Sequence, residues 1–240
     1  MNILSIGNSF SQDAHRYLHR IAKADGTELK TFNLYIGGCS LYRHYQNMIS
    51  EQAAYDLEMN GEKTGFKVSL KEALLNREWD VVTLQQVSSQ STCYDRYQPY
   101  LNSLVALVKH CVPKAKIVIH QTWAYEEGSQ KLTELMGYKK HEDMLKDVKK
   151  AYSKAAKEIG AEFVIPSGEL FQKLIESGIE KVHRDTYHAT LGLGRYALGL
   201  LWYKALTKND ITDNTFNDFD EEVSDNDIAI VKRCVNQVCK

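Results

Sequence analysis

The chain has 240 residues, of which 43% are hydrophobic and 25% are charged, with 30 Lys and Arg residues against 31 Asp and Glu residues. This is the composition of an ordinary soluble globular protein, and the length favours one α/β domain over residues 1–240. The balanced charge and the lack of an aromatic-plus-basic cluster argue against a nucleic-acid partner. No apolar run is long enough to span a bilayer.

Five short apolar segments predict the strands of a parallel sheet, because strands covered on both faces are apolar along their whole length. They cover residues 3–6, 31–36, 80–85, 116–122 and 162–165. Between the second and third of them, the polar segment 55–67 contains Asn60-Gly61, a strong hairpin turn signal. This segment predicts a small β excursion beside the sheet.

Helical periodicity fills the intervals between these strands. Apolar stripes predict helices over residues 14–22, 101–108, 144–159, 170–175, 193–206 and 228–238. Ser69 and Glu72 have the spacing of a capping box and predict the start of a further short helix. The alternation of strands and helices therefore predicts a parallel sheet with helices on both faces.

Three short motifs of the sequence are expected at one edge of this sheet. In open α/β sheets, ligands bind at the carboxyl ends of the strands. With five strands in the flavodoxin-like order 2-1-3-4-5, the first three strands are neighbours. They lead into Gly7-Asn8-Ser9, Gly37-Gly38 and Gln85-Gln86, which we therefore expect to lie close together.

Ser9, His188 and Asp185 are the residue types that nucleophilic acyl transfer requires. The Asp185 carboxylate, three residues before His188, is within reach of Nδ1–H and would leave Nε2 free to act as a base. Each word also has an ordinary structural explanation. Ser9 would be a helix N-cap, and the other two a surface Asp and a partly buried His.

N–H groups of the Gly37-Gly38 and Gln85-Gln86 motifs are candidates for an oxyanion hole. Gly38 has no Cβ to crowd its N–H, and Gln86 carries a carboxamide. Trp123 and Tyr125 follow the fourth strand and are candidates for the wall of a substrate pocket, although packing in the core is the commoner role of such residues. His15 and His19 have no third ligand at a suitable spacing, so no metal is expected.

The words Gly7-Asn8-Ser9-Phe10-Ser11, Ile36-Gly37-Gly38-Cys39-Ser40 and Asp185-Thr186-Tyr187-His188, in this order, resemble the SGNH (GDSL-type) hydrolase superfamily. The resemblance implies a flavodoxin-like three-layer α/β/α sandwich with Ser9 as the nucleophile. It implies His188 as the base and Asp185 as its partner. The backbone N–H groups of Ser9 and Gly38 would then form part of the oxyanion hole.

The third block departs from the G-x-N-D pattern of most members. This chain has Leu84-Gln85-Gln86-Val87-Ser88-Ser89-Gln90 instead. Gln86 aligns best with the glutamine of Q-G-E-S, a word found here in some carbohydrate acetylesterases. The phrase Trp79-Asp80-Val81-Val82-Thr83-Leu84 before it is similar to a poorly characterised bacterial branch of the superfamily.

The resemblance implies a serine esterase that hydrolyses acyl esters, acetyl esters of carbohydrates in particular, and needs neither cofactor nor metal. Trp123, Tyr125 and Tyr187 are candidates for stacking on sugar rings. A catalytically silent carbohydrate-binding protein and a flavodoxin-like nucleotide or flavin binder stay open as alternatives. Because the first strand begins near residue 2, we expect no signal peptide and a cytoplasmic protein, or a secreted or periplasmic one if a leader was trimmed.

Overall fold

The computed structural model describes residues 1–239 and is built on a seven-stranded sheet of order β4-β3-β2-β1-β5-β6-β7. The strands are β1 (Asn2–Gly7), β2 (Lys30–Tyr35), β3 (Tyr55–Met59), β4 (Glu62–Val68), β5 (Val81–Leu84), β6 (Lys116–Gln121) and β7 (Val164–Pro166). The run β2-β1-β5-β6-β7 is parallel throughout. It reproduces the predicted order of the five parallel strands.

The hairpin β3–β4 corrects one prediction. It is not an excursion beside the sheet, because β3 pairs antiparallel with β2 and extends the sheet by two strands. Asn60 has a φ of 54° and Gly61 a φ of 82° at the turn, as a tight hairpin requires. The β4 side chains are mostly exposed, which is typical of a strand at the edge of a sheet.

Eight α-helices connect or cover the strands in the part of the chain described. They are α1 (Ser9–Ala24), α2 (Leu41–Ser50), α3 (Leu70–Leu75), α4 (Tyr100–Cys111), α5 (His141–Ile159), α6 (Ser167–Glu176), α7 (Leu193–Thr207) and α8 (Asp225–Val238). The capping box of Ser69 and Glu72 is present at the start of α3. Helix α2 was not predicted, because only three of its ten side chains are buried and its apolar face is short and interrupted by polar residues.

The helices form two layers. Helices α1, α6, α7 and α8 pack against one another, whereas α2 packs on α3 and α4. The connection from β1 runs to β2, on one side of it in the sheet, and the connection from β5 runs to β6, on the other side. Because such crossovers are right-handed, the two sets of helices lie on opposite faces of the sheet. The predicted α/β/α sandwich is thereby confirmed. No helix within residues 1–239 is both long and apolar enough to cross a membrane.

Candidate active site

Ser9 is the first residue of α1, and its neighbour Asn8 caps the helix. The Asn8 side chain accepts a hydrogen bond from the Phe10 N–H at 3.0 Å, and the Ser11 hydroxyl accepts one from the Asn8 N–H at 3.0 Å. The interpretation of Ser9 as the N-cap is therefore wrong. Because Asn8 caps the helix, the Ser9 hydroxyl is free for other contacts.

Gly7 is required by the close packing at this strand end. A Cβ on Gly7 would lie 1.9 Å from the Ser11 hydroxyl oxygen and 2.9 Å from the Asn33 carboxamide oxygen. Atoms at such distances overlap, so only glycine lets β1 pass directly into the capped helix. This tight junction places Ser9 at the carboxyl end of a central strand, where open α/β sheets bind ligands.

Ser9, His188 and Asp185 form a continuous chain of hydrogen bonds. The Ser9 Oγ lies 2.8 Å from His188 Nε2, and His188 Nδ1 lies 2.8 Å from Asp185 Oδ2. The other carboxylate oxygen accepts the His188 backbone N–H at 2.9 Å. Partial burial opposes ionisation of Asp185, but these two His188 hydrogen bonds outweigh it and hold the pKa of the carboxyl below its usual value.

Asp13 ties the loop that carries His188 to the helix that carries Ser9. It lies one turn after Ser9 in α1, is fully buried, and accepts hydrogen bonds from Arg184 at 3.0 Å and Arg195 at 2.9 Å. It also accepts the Ala189 N–H at 3.2 Å. Arg184 and Ala189 flank the Asp185–His188 segment, so Asp13 fixes both ends of that segment against α1.

Asn8 joins the three sequence words that were expected at one edge. Its amide nitrogen donates to the Cys39 carbonyl at 3.0 Å, and its oxygen accepts from the Gln85 side chain at 2.7 Å. The Gln85 oxygen lies 2.6 Å from His120 Nδ1 in the same buried network. An Asn before a helix is a common N-cap, so its capping role was readable from sequence, whereas its links to Cys39 and Gln85 were not.

The Gln86 side chain does not have the position predicted for it in the oxyanion hole. Its side chain is fully buried, and its amide nitrogen donates to the Arg96 carbonyl at 2.8 Å. Its oxygen accepts the backbone N–H groups of Leu41 and Val87 at 3.0 and 2.8 Å. The carboxamide is therefore occupied in holding the start of α2, and the prediction that it faces an oxyanion is corrected.

A cavity of about 430 Å³ opens over Ser9 and His188. Gly38 lines it with a φ of 61°, a left-handed conformation that favours glycine, and a Cβ built there would meet no atom within 4 Å. The glycine is thus required by backbone conformation rather than by crowding. The first residues of the 3₁₀ turn Ser88–Gln90 form another part of the wall.

The three aromatic candidates have different positions. Trp123 is fully buried between Phe10 and Phe171, with ring centroids 4.1 and 4.7 Å away. It is a core residue, and the prediction that it stacks on a substrate is corrected. Tyr125 and Tyr187 do line the cavity, although Tyr125 is only 2% exposed.

Lys131 and Leu135 also line the cavity and were missed from the sequence. Both lie on the π-helical turn Lys131–Leu135, and Leu135 is 63% exposed. A single polar turn outside the regular elements has no periodicity that would predict its position. Single π-helical turns are frequent at functional sites, but the sequence does not distinguish them from other loops.

Residues 1–239 contain no group of three His, Cys, Asp or Glu side chains arranged to hold a metal ion. His15 and His19 have separate partners. The Nε2 atom of His15 lies 2.8 Å from the Ser5 hydroxyl, and Nδ1 of His19 lies 2.6 Å from the Leu29 carbonyl. The five cysteines are all free.

Residues 2–237 match the model of a protein family described as a domain of unknown function, DUF4886. The chain belongs to this family. A solved structure of a DUF4886 family protein from Bacteroides uniformis is 32% identical to this chain, with a TM-score of 0.90 over 99% of this chain and 94% of that one. A comparison with curated proteins found no match.

Two further solved structures connect this DUF4886 protein to a larger group. A protein from Slackia heliotrinireducens assigned to the SGNH hydrolases is 25% identical, with a TM-score of 0.64 over 86% of this chain and 98% of that one. A GDSL-like lipase from Bacteroides thetaiotaomicron shares the fold at 12% identity, with a TM-score of 0.51 over 86% of this chain and 88% of that one. The resemblance to the SGNH hydrolases is thereby confirmed.

Proposed function

We propose that this protein is a serine esterase that cleaves carboxylic esters through an acyl-enzyme intermediate. One observation carries the proposal, namely the two consecutive 2.8 Å hydrogen bonds that link Ser9 to His188 and His188 to Asp185. A serine hydroxyl is a poor nucleophile unless a base takes its proton, and the base acts best when a third group orients it. Both conditions are met around Ser9.

The reaction follows from this arrangement. Ser9 Oγ attacks the ester carbonyl carbon while its proton passes to His188 Nε2. The Nδ1–H of His188 donates to Asp185, which stabilises the imidazolium. The tetrahedral intermediate collapses when the C–O bond to the alcohol breaks and the Nε2 proton passes to the departing oxygen. A water molecule, deprotonated by the same imidazole, then releases the acid and restores Ser9.

The negative charge on the intermediate requires hydrogen-bond donors already in place. The backbone N–H of Ser9, at the start of α1, is one of the helix N–H groups that have no partner inside the helix, and the helix dipole favours an anion there. Gly38 lines the same cavity, and its N–H would be the second donor. Loss of one such donor costs about 10² to 10³ in turnover in other enzymes.

Acetylated carbohydrates remain our favoured substrate class. The cavity of about 430 Å³ lies within the range that binds small organic ligands, and a short acyl group fits it. With Trp123 buried, Tyr187 is a half-buried aromatic ring in the cavity wall. Because Lys131 and His188 both lie against this ring, a sugar would contact its edge rather than stack on its face.

The test compares Ser9→Ala with Ser153→Ala, which removes an exposed hydroxyl on α5 that does not line the cavity. On a panel of short nitrophenyl esters and acetylated sugars, we expect Ser9→Ala to lose turnover and Ser153→Ala to keep it. Equal turnover in both variants would reject Ser9 as the nucleophile. Sugar binding by calorimetry with no turnover of any ester would favour the silent binding protein instead.

A further inference from the structure

The proposed catalytic cavity contains a single fixed cation. Among the side chains of residues 1–239 that line it, Lys131 is the one Lys or Arg, and none is Asp or Glu. A cavity for neutral esters needs no such charge, and a half-buried lysine loses both hydration and rotamer freedom. The position of Lys131 therefore calls for a ligand group of opposite charge.

The Lys131 ammonium is held close to the proposed reacting groups. Its Nζ lies 3.4 Å from the centroid of the Tyr187 ring, and that ring lies 3.9 Å from the His188 ring by centroids. One aromatic ring therefore separates the ammonium from the imidazole that contacts Ser9. The cation–π contact fixes the direction of the lysine without neutralising its charge.

No carboxylate of the described chain neutralises Lys131. None of the ion pairs formed within residues 1–239 includes it. Of the carboxylates near it in sequence, Glu126, Glu127 and Glu134 form no ion pair with it. Asp185 is engaged with His188. An unpaired charge on a half-buried side chain attracts an anion more strongly than one in open water.

We propose that the substrates are esters that carry a carboxylate close to the scissile bond, and that Lys131 binds that carboxylate. This inference rests on the proposed function and adds the charge of the substrate to it. The carboxylate belongs either to the acyl part or to the alcohol part, since both reach the same cavity. A hydrogen bond between two charged groups is worth about 10- to 100-fold in binding.

Two pairs of esters separate these sources. Nitrophenyl hemisuccinate against nitrophenyl butyrate tests a carboxylate on the acyl part, and 4-acetoxybenzoate against its methyl ester tests one on the alcohol part. For at least one pair, we expect the ratio of kcat/KM for the anionic over the neutral ester to fall about 10- to 100-fold in Lys131→Met. Lys131→Arg restores most of the ratio.

Lys139→Met is the matched control, because it removes a nearby exposed lysine that does not line the cavity. A general effect of net charge would change the ratio equally in both variants and would contradict the proposal, as would an unchanged ratio in Lys131→Met for both pairs. If cleavage depends on Ser9 but the anionic ester is not preferred over the neutral one, the proposal of an anionic substrate is refuted. The proposed esterase activity would then still hold.

Binding of succinate, measured by calorimetry, gives a readout that needs no turnover. We expect about tenfold weaker binding in Lys131→Met than in the unaltered protein, with thermal melting used to confirm that the variant is folded. Equal succinate affinity in the two proteins would overturn the inference even if no ester in the panel were cleaved.

Discussion

Replacing Asp13 with Asn tests how the fold brings the proposed catalytic residues together. Asp13 is fully buried and receives hydrogen bonds from Arg184, Arg195 and the Ala189 N–H. The Asn side chain keeps the shape but loses the charge, and its NH₂ group faces groups that are themselves donors. Removing one partner of a buried ion pair typically costs about 3 to 5 kcal/mol.

For a chain of this length, that cost corresponds to a fall in Tm of about 6 to 20 °C. Activity falls for a separate reason, because Asp13 holds both ends of the segment that carries Asp185 and His188. A displacement of about 1 Å at a reacting group costs on the order of 10²-fold in rate. We therefore expect kcat to fall about 10- to 100-fold in Asp13→Asn at a temperature where the variant is folded, with a smaller change in KM.

Asp220→Asn is the matched control. Asp220 also pairs with Arg195, at 3.0 Å, but its side chain is 24% exposed and it does not contact Ala189. Asp220 also accepts two hydrogen bonds from Arg16, at 2.7 and 2.6 Å, and such bidentate pairs stabilise a fold more than single exposed ones. We therefore expect Asp220→Asn to lower Tm but to keep nearly full kcat. If Asp13→Asn lowers Tm but keeps kcat, then Asp13 stabilises the fold without positioning His188, and this reasoning is refuted.

Three other predictions concern buried polar and aromatic groups. Gln86→Met leaves buried N–H groups without an acceptor, at about 1 to 3 kcal/mol each. We expect a lower Tm but less than a 10²-fold loss of kcat, and the reverse result would restore Gln86 to the oxyanion hole. Trp123→Phe should lower Tm by thermal melting without raising KM for sugar esters; a raised KM at unchanged Tm would mean that Trp123 contacts the sugar. Burial lowers the pKa of His15, His44 and His120 from 6.5 to about 3. As the pH falls through 6.5, these histidines therefore take up protons in the unfolded chain before they do so in the folded protein. Each of them lowers the free energy of unfolding by about 1.4 kcal/mol per pH unit down to about pH 3. A Tm that stays constant from pH 7 to pH 5 would contradict this prediction.

The parallel part of the fold was predictable because its signals are local. Apolar runs and helical stripes depend on residues close together in the chain, and burial on both faces makes a strand such as β5 mostly apolar. The hairpin turn at Asn60-Gly61 was equally local. Its attachment to β2 was not, because pairing at a sheet edge depends on which strand is left open rather than on the hairpin's own residues.

The candidate site was predictable only where the sequence words are themselves the chemistry. Ser9, Asp185 and His188 were found by residue type and order, and the structure brings them into contact. The role of Gln86 was predicted wrongly because a carboxamide pairs with backbone groups as readily as with an oxyanion. The sequence does not show which of these partners lies nearer to the side chain. Trp123 was misplaced for a similar reason, since an aromatic ring after a strand packs inward as readily as outward.

The residues that sequence analysis missed act over long separations. Asp13 contacts Arg184 from more than half the chain away, and no local pattern links the two. Lys131 reaches the cavity from a turn outside the regular elements. Such contacts are set by how elements pack, which composition and periodicity do not determine.

The most direct test of the account is mass spectrometry of the protein after reaction with a fluorophosphonate, which modifies a serine only when a base activates it. We expect one adduct, located on the peptide that contains Ser9 and lost in His188→Ala. Absence of any adduct, or an adduct that persists in His188→Ala, would contradict the claim that Ser9 is activated by His188.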